Sequence, residues 1–468
     1  MNIKKISGDL NRICRTVNIQ DNQEIIEKYS RDWRNRYHYL AVCVVFPKSS
    51  KEVSDVVNYC RINFISVIPQ GGNTGLVGGT SPNEDNSTII INLERMNNIL
   101  KIDDLNNYIE CESGVILHDL SNKVAKYNYH FPLSMASSGS CQIGGAISTN
   151  AGGINVIKYG SIRQNILDLE VVLSSGEIIH TGSKVIKDNT GYNLKDLFCG
   201  AEGTLGIITK ATIKIFPKPA DFVDVFISYD SLDNLVDISQ FLMKNFSGKI
   251  EALEIISKAS FDICLKHKVI KKSFFSEEAE YFNLIRFSLM EDKRAFLDFF
   301  ENEIIQKENN FKEILIAQNT KQSTEFWKFR EELSDIQKKE GKLIAFDISV
   351  PIDKMNKFIL NAKNDLNKIC PQIIFNIFGH FGDSNIHFNL IEPNEFKGNF
   401  FSYEAKFKQI IIKLLISSGG SISAEHGIGL SKKNDLLSTK NKNEIQIMKN
   451  IKKSLDPENI LNPCKIFD

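Results

Sequence analysis

Hydrophobic positions in the first hundred residues predict one helix followed by two strands. The apolar side chains of residues 51–64 recur three to four positions apart, which is the spacing of one helix face. They are Val53, Val56, Val57 and Cys60. Short apolar runs at 65–68 and at 88–92 predict strands. This pattern is typical of a domain that mixes helices and strands.

A glycine-rich loop, PQGGNTGLVGG, lies between these two strands at 69–79. Bare backbone can approach an anion and direct N–H groups at it, so the loop is a candidate phosphate cradle. A strand follows the loop, unlike the helix of a dinucleotide-binding Rossmann unit. No Gly-Lys-Ser/Thr sequence closes it, which excludes a P-loop. An anion here would be held by backbone groups and not by a helix dipole.

Two further glycine-rich stretches follow, SSGSCQIGGAISTNAGG at 137–153 and a segment that begins with DNTGYNLKDLFCG and ends at 219. Three such regions before residue 220 predict a large ligand with several phosphates, held by backbone from several sides. Pro217 and Pro219 then mark a domain boundary. Beyond them glycine is scarce and lysine frequent, until glycine returns at 419.

Composition narrows the class of function. The chain has 468 residues, 42% of them hydrophobic and 24% charged, which indicates a folded protein of several domains. The formal net charge is zero, so nucleic acid is not expected as the main partner. The longest apolar run is far shorter than the roughly 20 residues of a membrane span, and no signal-peptide core follows the early lysines. Nine scattered cysteines without a C-x-x-C pair predict reduced thiols in a cytoplasmic protein.

Two of the eight histidines flank a strong turn signal. Gly-Asp-Ser-Asn at 382–385 separates two apolar segments, which predicts a β-hairpin. With this turn, His380 faces His387, and directly opposed residues share a face with Cβ atoms about 4.5–5.5 Å apart. Asn389 projects from the same face. The placement suits two imidazoles on one metal ion, and equally two unrelated histidines on a sheet.

An acid and a base stand side by side in SAEHGIG at 423–429, where Glu425 precedes His426. The glycine-rich surroundings fit a reactive site and also a plain surface turn.

Taken together, these motifs resemble those of the FAD-linked D-2-hydroxyacid dehydrogenases, flavoproteins with an FAD-binding domain of the vanillyl-alcohol-oxidase type. The similar stretches are PQGGNTGLVGG, GSCQIGGAISTNAGG, DNTGYNLKDLFCGAEGTLGIIT, FWKFREELSDIQ, FGHFGDSNIHFNL and SAEHGIG. The resemblance covers nearly the whole chain, and it includes enzymes that oxidise D-2-hydroxyglutarate, D-lactate or glycolate.

The resemblance implies an α+β fold with two domains. An FAD-binding domain at 1–219 would consist of two α+β subdomains divided near residue 95. A substrate-binding cap domain with an antiparallel sheet would occupy 220–418. A C-terminal segment at 419–468 would return to the FAD-binding domain.

By the same resemblance, the glycine-rich regions bind FAD. The first would contact the pyrophosphate, the second the ribityl chain and flavin, and the third the adenosine end or the ring edge. The implied set is Pro69, Gly71, Gly72, Asn73, Thr74, Gly75, Gly79, Ser138, Gly139, Ser140, Gly144, Gly145, Thr149, Asn150, Gly153, Glu202, Gly206 and Ile208. Relatives that attach flavin covalently use a histidine where this chain has Asn73, and an amide cannot form that bond. FAD is therefore expected to be bound non-covalently.

The resemblance also implies a metal and a base. His380, His387 and Glu425 would hold a divalent metal, usually zinc, and Mn²⁺ or Fe²⁺ accepts the same ligand types. The metal would favour the alkoxide of a 2-hydroxy acid, His426 would take the hydroxyl proton, and the α-hydride would pass to flavin N5. The ordinary imidazole pKa of about 6.5 suits that base.

Arg330, in FWKFREELS, matches the residue that clamps the substrate carboxylate in the family. Ser334 lies one helical turn later, and Asn389 and His426 complete the implied substrate-binding set. From the residues alone, Arg330 fits a salt bridge on a helix surface equally well.

One position departs from the family. Enzymes that act on D-2-hydroxyglutarate carry a lysine where KLIAFDISVP has Ala345, so a shorter 2-hydroxy acid becomes an alternative substrate. Two other classes stay open: a non-redox flavoenzyme such as an alkylglycerone-phosphate synthase, and the flavoprotein subunit of a glycolate oxidase complex. Because no second cofactor motif is present, electrons would leave through an electron-transfer flavoprotein, a quinone or another acceptor. A homodimer is compatible with the sequence.

Overall fold

In the computed structural model, residues 3–14, 16–84, 87–394 and 396–467 are described, and helices and strands alternate along them. The strands are β1 (Asn18–Gln20), β2 (Cys43–Phe46), β3 (Ser66–Gln70), β4 (Thr88–Asn92), β5 (Ile99–Asp103), β6 (Tyr108–Glu112), β7 (Tyr129–His130), β8 (Ile166–Val172), β9 (Ile178–His180), β10 (Ile207–Lys214), β11 (Phe216–Pro217), β12 (Asp221–Tyr229), β13 (Ile250–Ser257), β14 (Tyr281–Leu289), β15 (Glu313–Ile316), β16 (Leu343–Ser349), β17 (Ile374–His380) and β18 (Asn385–Ile391). The α-helices are α1 (Ile3–Ile13), α2 (Gln23–Ser30), α3 (Ser50–Ile62), α4 (Leu117–Ala125), α5 (Ile143–Ser148), α6 (Val156–Tyr159), α7 (Ile162–Asn165), α8 (Lys195–Phe198), α9 (Leu232–Asn245), α10 (Lys258–Lys266), α11 (Lys293–Ile304), α12 (Thr320–Ile336), α13 (Ile352–Ile369), α14 (Glu404–Ser418), α15 (Lys433–Thr439) and α16 (Lys442–Leu455).

The chain divides into two units, each with its own internal contacts. The first unit consists of residues 1–152, 160–218 and 425–468, and the second of residues 153–159 and 219–424. The short segment 153–159, which contains α6, therefore belongs to the second unit although it follows the second glycine-rich loop directly.

Among the described residues, no helix combines the length and the apolar character needed to cross a membrane. All nine cysteines are free thiols.

The first sheet of the first unit has the order β1-β2-β4-β3, and β2, β4 and β3 run parallel. Helix α3 connects β2 to β3, which run parallel on either side of β4, because parallel strands of one sheet need a crossover connection. It begins where the Ser49 side chain accepts a hydrogen bond from the backbone N–H of Glu52. The predicted helix, strands and buried helix face are confirmed, with bounds shifted by one or two residues. The buried positions are Val53, Val56, Val57 and Cys60.

A second sheet in the first unit is antiparallel throughout and has the order β5-β6-β10-β8-β9. The C-terminal segment joins the first sheet instead, where Val67 donates to the carbonyl of Ile460 at 2.7 Å and accepts from the N–H of Asn462 at 2.7 Å. The ammonium of Lys452 anchors this segment by donating to the carbonyls of Thr204 and Leu461 at 2.8 Å each. Residues from both ends of the sequence therefore complete the first unit.

The second unit is built on a seven-stranded antiparallel sheet in the order β15-β12-β14-β13-β17-β18-β16. One face packs against α9, α11, α13 and α14 through a large apolar cluster. The opposite face packs against α10 and α12 through a second cluster rich in phenylalanine. Polar residues of β13, β16, β17 and β18 on this second face form the candidate site.

Candidate active site

The first two glycine-rich regions meet in the first unit. A Cβ atom on Gly72 would lie 1.8 Å from the backbone oxygen of Ser140, so only glycine permits this approach. By contrast, nothing lies within 4 Å of a Cβ built on Gly75, Gly139 or Gly145. Bare backbone therefore borders open space at these three positions.

This open backbone fits the phosphates and flavin of FAD. Gln142 adds a buried side-chain oxygen, Oε1, that accepts no hydrogen bond from the described residues. A buried acceptor without a donor is costly, and a ligand N–H supplies one. The residues present are thus compatible with a bound FAD held mainly by backbone groups.

Asn73 lies in the first glycine-rich loop, and both polar atoms of its side-chain amide form hydrogen bonds. Its Nδ2 donates to the carbonyl of Arg31 at 2.7 Å, and its Oδ1 accepts from the hydroxyl of Thr80 at 2.6 Å. Its φ of 52° is the left-handed conformation that asparagine tolerates better than most residues. The side chain thus stabilises the loop.

Glu202, predicted to contact FAD, holds the SAEHGIG loop of the same unit. Its carboxylate accepts hydrogen bonds from the backbone N–H groups of Ile428 at 2.7 Å and Gly429 at 2.8 Å. Desolvation by burial raises the pKa of Glu202, although these two donors oppose the shift. The loop carries His426, and a ring nitrogen of His426 lies within 4.8 Å of a carboxylate oxygen of Glu425. The role of Glu202 at FAD stays a prediction.

The other residues predicted to bind FAD differ in their surroundings. Gly144 and Gly206 have packing reasons to be glycine, since Cβ atoms there would meet Ser113 and Val171 at 2.6 and 2.5 Å. Gly153 belongs to the second unit. The rest lie in the first unit, on β3, in the glycine-rich loops or on β10: Pro69, Gly71, Thr74, Gly79, Ser138, Thr149, Asn150 and Ile208.

In the second unit, the predicted hairpin forms from β17 and β18, but its register differs from the prediction. Phe378, and not His380, pairs with His387. A 3₁₀ turn at Phe381–Asp383 and the left-handed Ser384 (φ 71°) make the connection wider than a four-residue turn. The prediction that residue 380 directly faces residue 387 is therefore wrong. The two side chains still share a face, because positions 378 and 380 are two residues apart on one strand.

The imidazoles of His380 and His387 lie close together on this face. Their ring centroids are 6.1 Å apart, and one ring nitrogen of each lies within 4.8 Å of the other. His380 shares a 2.6 Å hydrogen bond between its Nδ1 and Oε1 of Glu254, the residue opposite it on β13. Two imidazoles at this spacing, one oriented by a carboxylate, match the way histidines ligate divalent metals. The pair fits a zinc-type ion with neutral nitrogen ligands.

Arg330 is 6% exposed on α12 and pairs with the same carboxylate. Its Nε donates to Oε2 of Glu254 at 2.6 Å, and its guanidinium carbon lies 4.9 Å from the ring centroid of Phe378. Burial raises the pKa of Glu254, but the charges and hydrogen bonds of Arg330 and His380 outweigh this and hold it below its usual range. The alternative of a helix-surface salt bridge is therefore wrong, since the partner is a fully buried residue of the sheet.

Asn389 lies two residues beyond His387 and is held by an amide network. Gln337 Oε1 accepts hydrogen bonds from Asn389 Nδ2 at 2.9 Å and from Asn376 Nδ2 at 2.7 Å. Ser334, one turn after Arg330, is exposed. The structure thus brings Arg330, His380, His387 and Asn389 to one face of one sheet, with Ser334 on the helix that covers it.

Ala345 and Asp347 belong to the same face. On β16 they lie opposite Asn389 and His387, respectively. Ala345 is exposed, whereas Asp347 is buried and accepts a 3.4 Å hydrogen bond from Asn385. A longer side chain at 345 would therefore extend from the face that carries the two histidines.

Two family models match the chain. The FAD binding domain covers residues 41–182, and the C-terminal domain of the FAD linked oxidases covers residues 218–466. The chain belongs to the FAD-linked oxidase family. It is an FAD-dependent oxidoreductase, as the motifs predict.

Curated relatives of this FAD-linked oxidase come from plants, animals, fungi and bacteria. It is 34% identical over 452 residues to the mitochondrial D-2-hydroxyglutarate dehydrogenase of Arabidopsis thaliana, covering 96% of this chain and 79% of that one. It is 31% identical over 444 residues to the D-2-hydroxyglutarate dehydrogenase of Xanthomonas citri pv. viticola, covering 95% and 93%.

A solved structure of p-cresol methylhydroxylase with bound substrate has the same fold, with a TM-score of 0.78 at 15% identity, covering 99% of this chain and 97% of that one. The predicted α+β fold of the vanillyl-alcohol-oxidase type is thereby confirmed.

The sequence reasoning missed two acidic residues of this FAD-linked oxidase. Glu254 lies in the apolar strand sequence IEALEIIS, where a buried carboxylate requires a charged partner. A carboxylate in the middle of an apolar strand was therefore the signal that could have identified Glu254. Asp347, on β16 opposite His387, had a weaker one, because an aspartate near a strand end is more often a turn residue.

Proposed function

We propose that this enzyme oxidises a D-2-hydroxy acid to the 2-oxo acid with FAD and a divalent metal. The observation that supports this most strongly is the placement of His380, His387 and Arg330 beside one sheet face. Metal ligands and a guanidinium on one face suit a small acid that offers a hydroxyl and a carboxylate. The relatives named D-2-hydroxyglutarate dehydrogenase support the same reaction class.

His380 and His387 are proposed to bind the metal together with Glu425. The segment before Glu425 is attached to the edge of the sheet that carries the site, because Ser421 pairs with Ser349 at the end of the edge strand β16. Nitrogen and carboxylate donors favour Zn²⁺, with Mn²⁺ and Fe²⁺ as alternatives. When bound, the metal supplies a Lewis acid and FAD supplies the two-electron acceptor.

The residues of the chain would then orient the substrate and move one proton. Arg330 is proposed to hold the substrate carboxylate, with Asn389 and Ser334 beside it. His426 is proposed to accept the hydroxyl proton on an imidazole nitrogen, and its loop is kept in place by the bonds from Ile428 and Gly429 to Glu202.

The substrate is proposed to be either D-2-hydroxyglutarate or a shorter acid such as D-lactate. The names of the relatives favour the dicarboxylate. Ala345 favours the shorter acid, because the exposed position opposite Asn389 lacks the cation that would pair with a second carboxylate.

FAD is proposed to be bound without a covalent bond, because Asn73 occupies the position of the attachable histidine and its amide is engaged by Arg31 and Thr80. Acid precipitation should release all yellow colour into the supernatant. Colour that stays in the pellet would contradict this.

The decisive experiment is anaerobic addition of D-2-hydroxyglutarate or D-lactate, with metal content measured on the same sample. Bleaching of the flavin absorbance supports the dehydrogenase. An oxidised flavin with every D-2-hydroxy acid would instead favour a non-redox flavoenzyme of the same fold.

Turnover of the isolated protein with an artificial acceptor separates a complete enzyme from a subunit of a larger complex. The physiological acceptor is proposed to be an electron-transfer flavoprotein or a quinone.

A further inference from the structure

We propose that Glu254 is a positioning residue, with one carboxylate oxygen orienting His380 for the metal and the other orienting Arg330 for the substrate carboxylate. This inference rests on the proposed function, which supplies the roles of His380 and Arg330. It adds that both depend on one buried side chain.

The geometry around Glu254 is specific. The side chain is fully buried, and its two oxygens are divided between two partners at 2.6 Å each, His380 Nδ1 and Arg330 Nε. Strand pairing sets the first contact, because Glu254 and His380 are direct neighbours on β13 and β17. Helix α12, which covers this face, brings Arg330 to the second oxygen.

The first contact determines the tautomer of His380. An ionised carboxylate only accepts hydrogen bonds, so the Nδ1 position carries the proton. The lone pair of the neutral ring then lies on Nε2, the nitrogen a metal would use. A carboxylate behind a histidine ligand also fixes the ring plane and makes the ligand more basic.

The second contact orients the guanidinium of Arg330. With Nε bound to Glu254 and the planar group 4.9 Å from the centroid of Phe378, rotation about the end of the side chain is blocked. The two terminal nitrogens are then presented as a fixed pair, the arrangement that binds a carboxylate in bidentate fashion. Substrate affinity should therefore depend on Glu254 although this residue does not touch substrate.

The test is Glu254→Gln in the full-length FAD-loaded protein. An amide has one acceptor and one donor side, so it cannot accept from both His380 and Arg330. Glu251→Gln is the matched control, because Glu251 is also buried on β13 and has an oxygen without a hydrogen-bond partner in the described part of the chain. Each protein is stripped of metal with a chelator and titrated with Zn²⁺ against a chromophoric competitor.

We expect Glu254→Gln to weaken Zn²⁺ binding about 10- to 100-fold and the control to keep the wild-type affinity. The KM for the substrate should rise in the same variant. In the metal-free protein, the ¹⁵N shifts of His380 should move away from the Nδ1–H tautomer, a change that loss of packing alone would not produce.

Wild-type affinity for Zn²⁺ in Glu254→Gln, or an unchanged His380 tautomer, would overturn the inference while leaving the proposed function intact. If the wild type itself binds no Zn²⁺, the proposed function fails, and this inference fails with it. If Glu254→Gln does not fold, Glu254→Met/Arg330→Met removes both buried charges and leaves Nδ1 of His380 without the acceptor at position 254, and the same loss of Zn²⁺ affinity and the same His380 shift are expected there. Wild-type values in the double variant would likewise overturn the inference.

Discussion

Each unit of this enzyme buries one glutamate at a point that positions a candidate catalytic group, and the two glutamates are held in opposite ways. Glu254 in the second unit is bonded to an arginine and a histidine. Glu202 in the first unit is bonded to two backbone N–H groups. The pKa of Glu254 is lowered and that of Glu202 is raised, although both side chains are buried.

The difference shows that the partners of a buried carboxylate, and not its depth of burial, set the direction of its pKa shift here. For Glu254, the cation at 2.6 Å and His380 outweigh desolvation. For Glu202, the two amide donors and the charges of Lys432 and Lys465 offset desolvation only in part. Glu254 is therefore held as an anion between Arg330 and His380. Glu202 anchors the loop of His426 through its two backbone hydrogen bonds.

The largest effect is expected from removing one of the proposed metal ligands of the second unit. His387→Ala should lose bound metal and lower kcat/KM by roughly 10³-fold or more, because several kcal/mol of Lewis-acid stabilisation disappear. FAD content should stay at the wild-type level, since the glycine-rich loops of the first unit are unchanged. Metal analysis, flavin absorbance and steady-state kinetics measure these quantities.

His267→Ala is the control for this prediction, because His267 lies in the same unit and pairs with Glu340. It should keep metal and activity. Full metal retention in His387→Ala would rule out His387 as a ligand.

The comparison between Glu254 and Glu202 is tested by replacing each of them with glutamine in separate variants. Glu254→Gln should lower the free energy of unfolding by about 3–5 kcal/mol, because it strips a buried arginine of its counter-ion. Glu202→Gln should cost only about 1 kcal/mol, since the amide oxygen still accepts one of the two backbone hydrogen bonds. Urea unfolding under one protocol gives both values. Equal losses would mean that burial, and not partner type, governs the two sites.

A third prediction concerns Lys465, a buried cation whose charge acts on Glu202. Burial lowers the pKa of Lys465 to about 8, from an ordinary value of 10.5. Between these pH values the unfolded chain binds the proton and the folded chain releases it, so this lysine makes stability rise as pH rises. The gain from about pH 8 to about pH 10.5 is at most ~3 kcal/mol.

Lys465→Met provides the measurement, because it removes this titration. The unfolding free energy of the wild type should increase relative to the variant across this pH range. Parallel pH profiles for the two proteins would show that Lys465 titrates normally.

The smallest effect is expected at the exposed edge of the second-unit site. Ala345→Lys should raise the ratio of kcat/KM for D-2-hydroxyglutarate over D-lactate by roughly fivefold, since an exposed charge pair contributes about 1 kcal/mol. Ala345→Met controls for side-chain length. A ratio that moves equally in both variants would assign the change to size and not to charge.

Much of the fold could be predicted from local patterns. The apolar face of α3 and the strand β4 appear where helical spacing and an apolar run predict them. In each case the pattern of buried residues lies within a single segment of the chain. The turn chemistry after His380 correctly predicts a hairpin. It does not predict the register, which depends on pairing with β13 and β16 and on the left-handed Ser384.

The candidate site was only partly predictable, because it too depends on contacts between residues that are distant in the sequence. His380, His387 and Arg330 are recognisable in short motifs, but the residue that joins them is not. Glu254 lies 76 residues from Arg330 and 126 from His380, and only the assembled sheet places them together. Glu202 and Ile428 are likewise 226 residues apart. A spacing pattern carries no information at such separations.

The return of the C-terminal segment to β3 has a consequence for how the protein is made. Val67 finds its partners Ile460 and Asn462 only after almost the whole chain has been translated. The second unit, which ends at residue 424, can be completed first on the ribosome, even though its sequence begins later. Until residues 460–462 have emerged, Val67 lacks these backbone partners, so the first unit is expected to finish folding after the second.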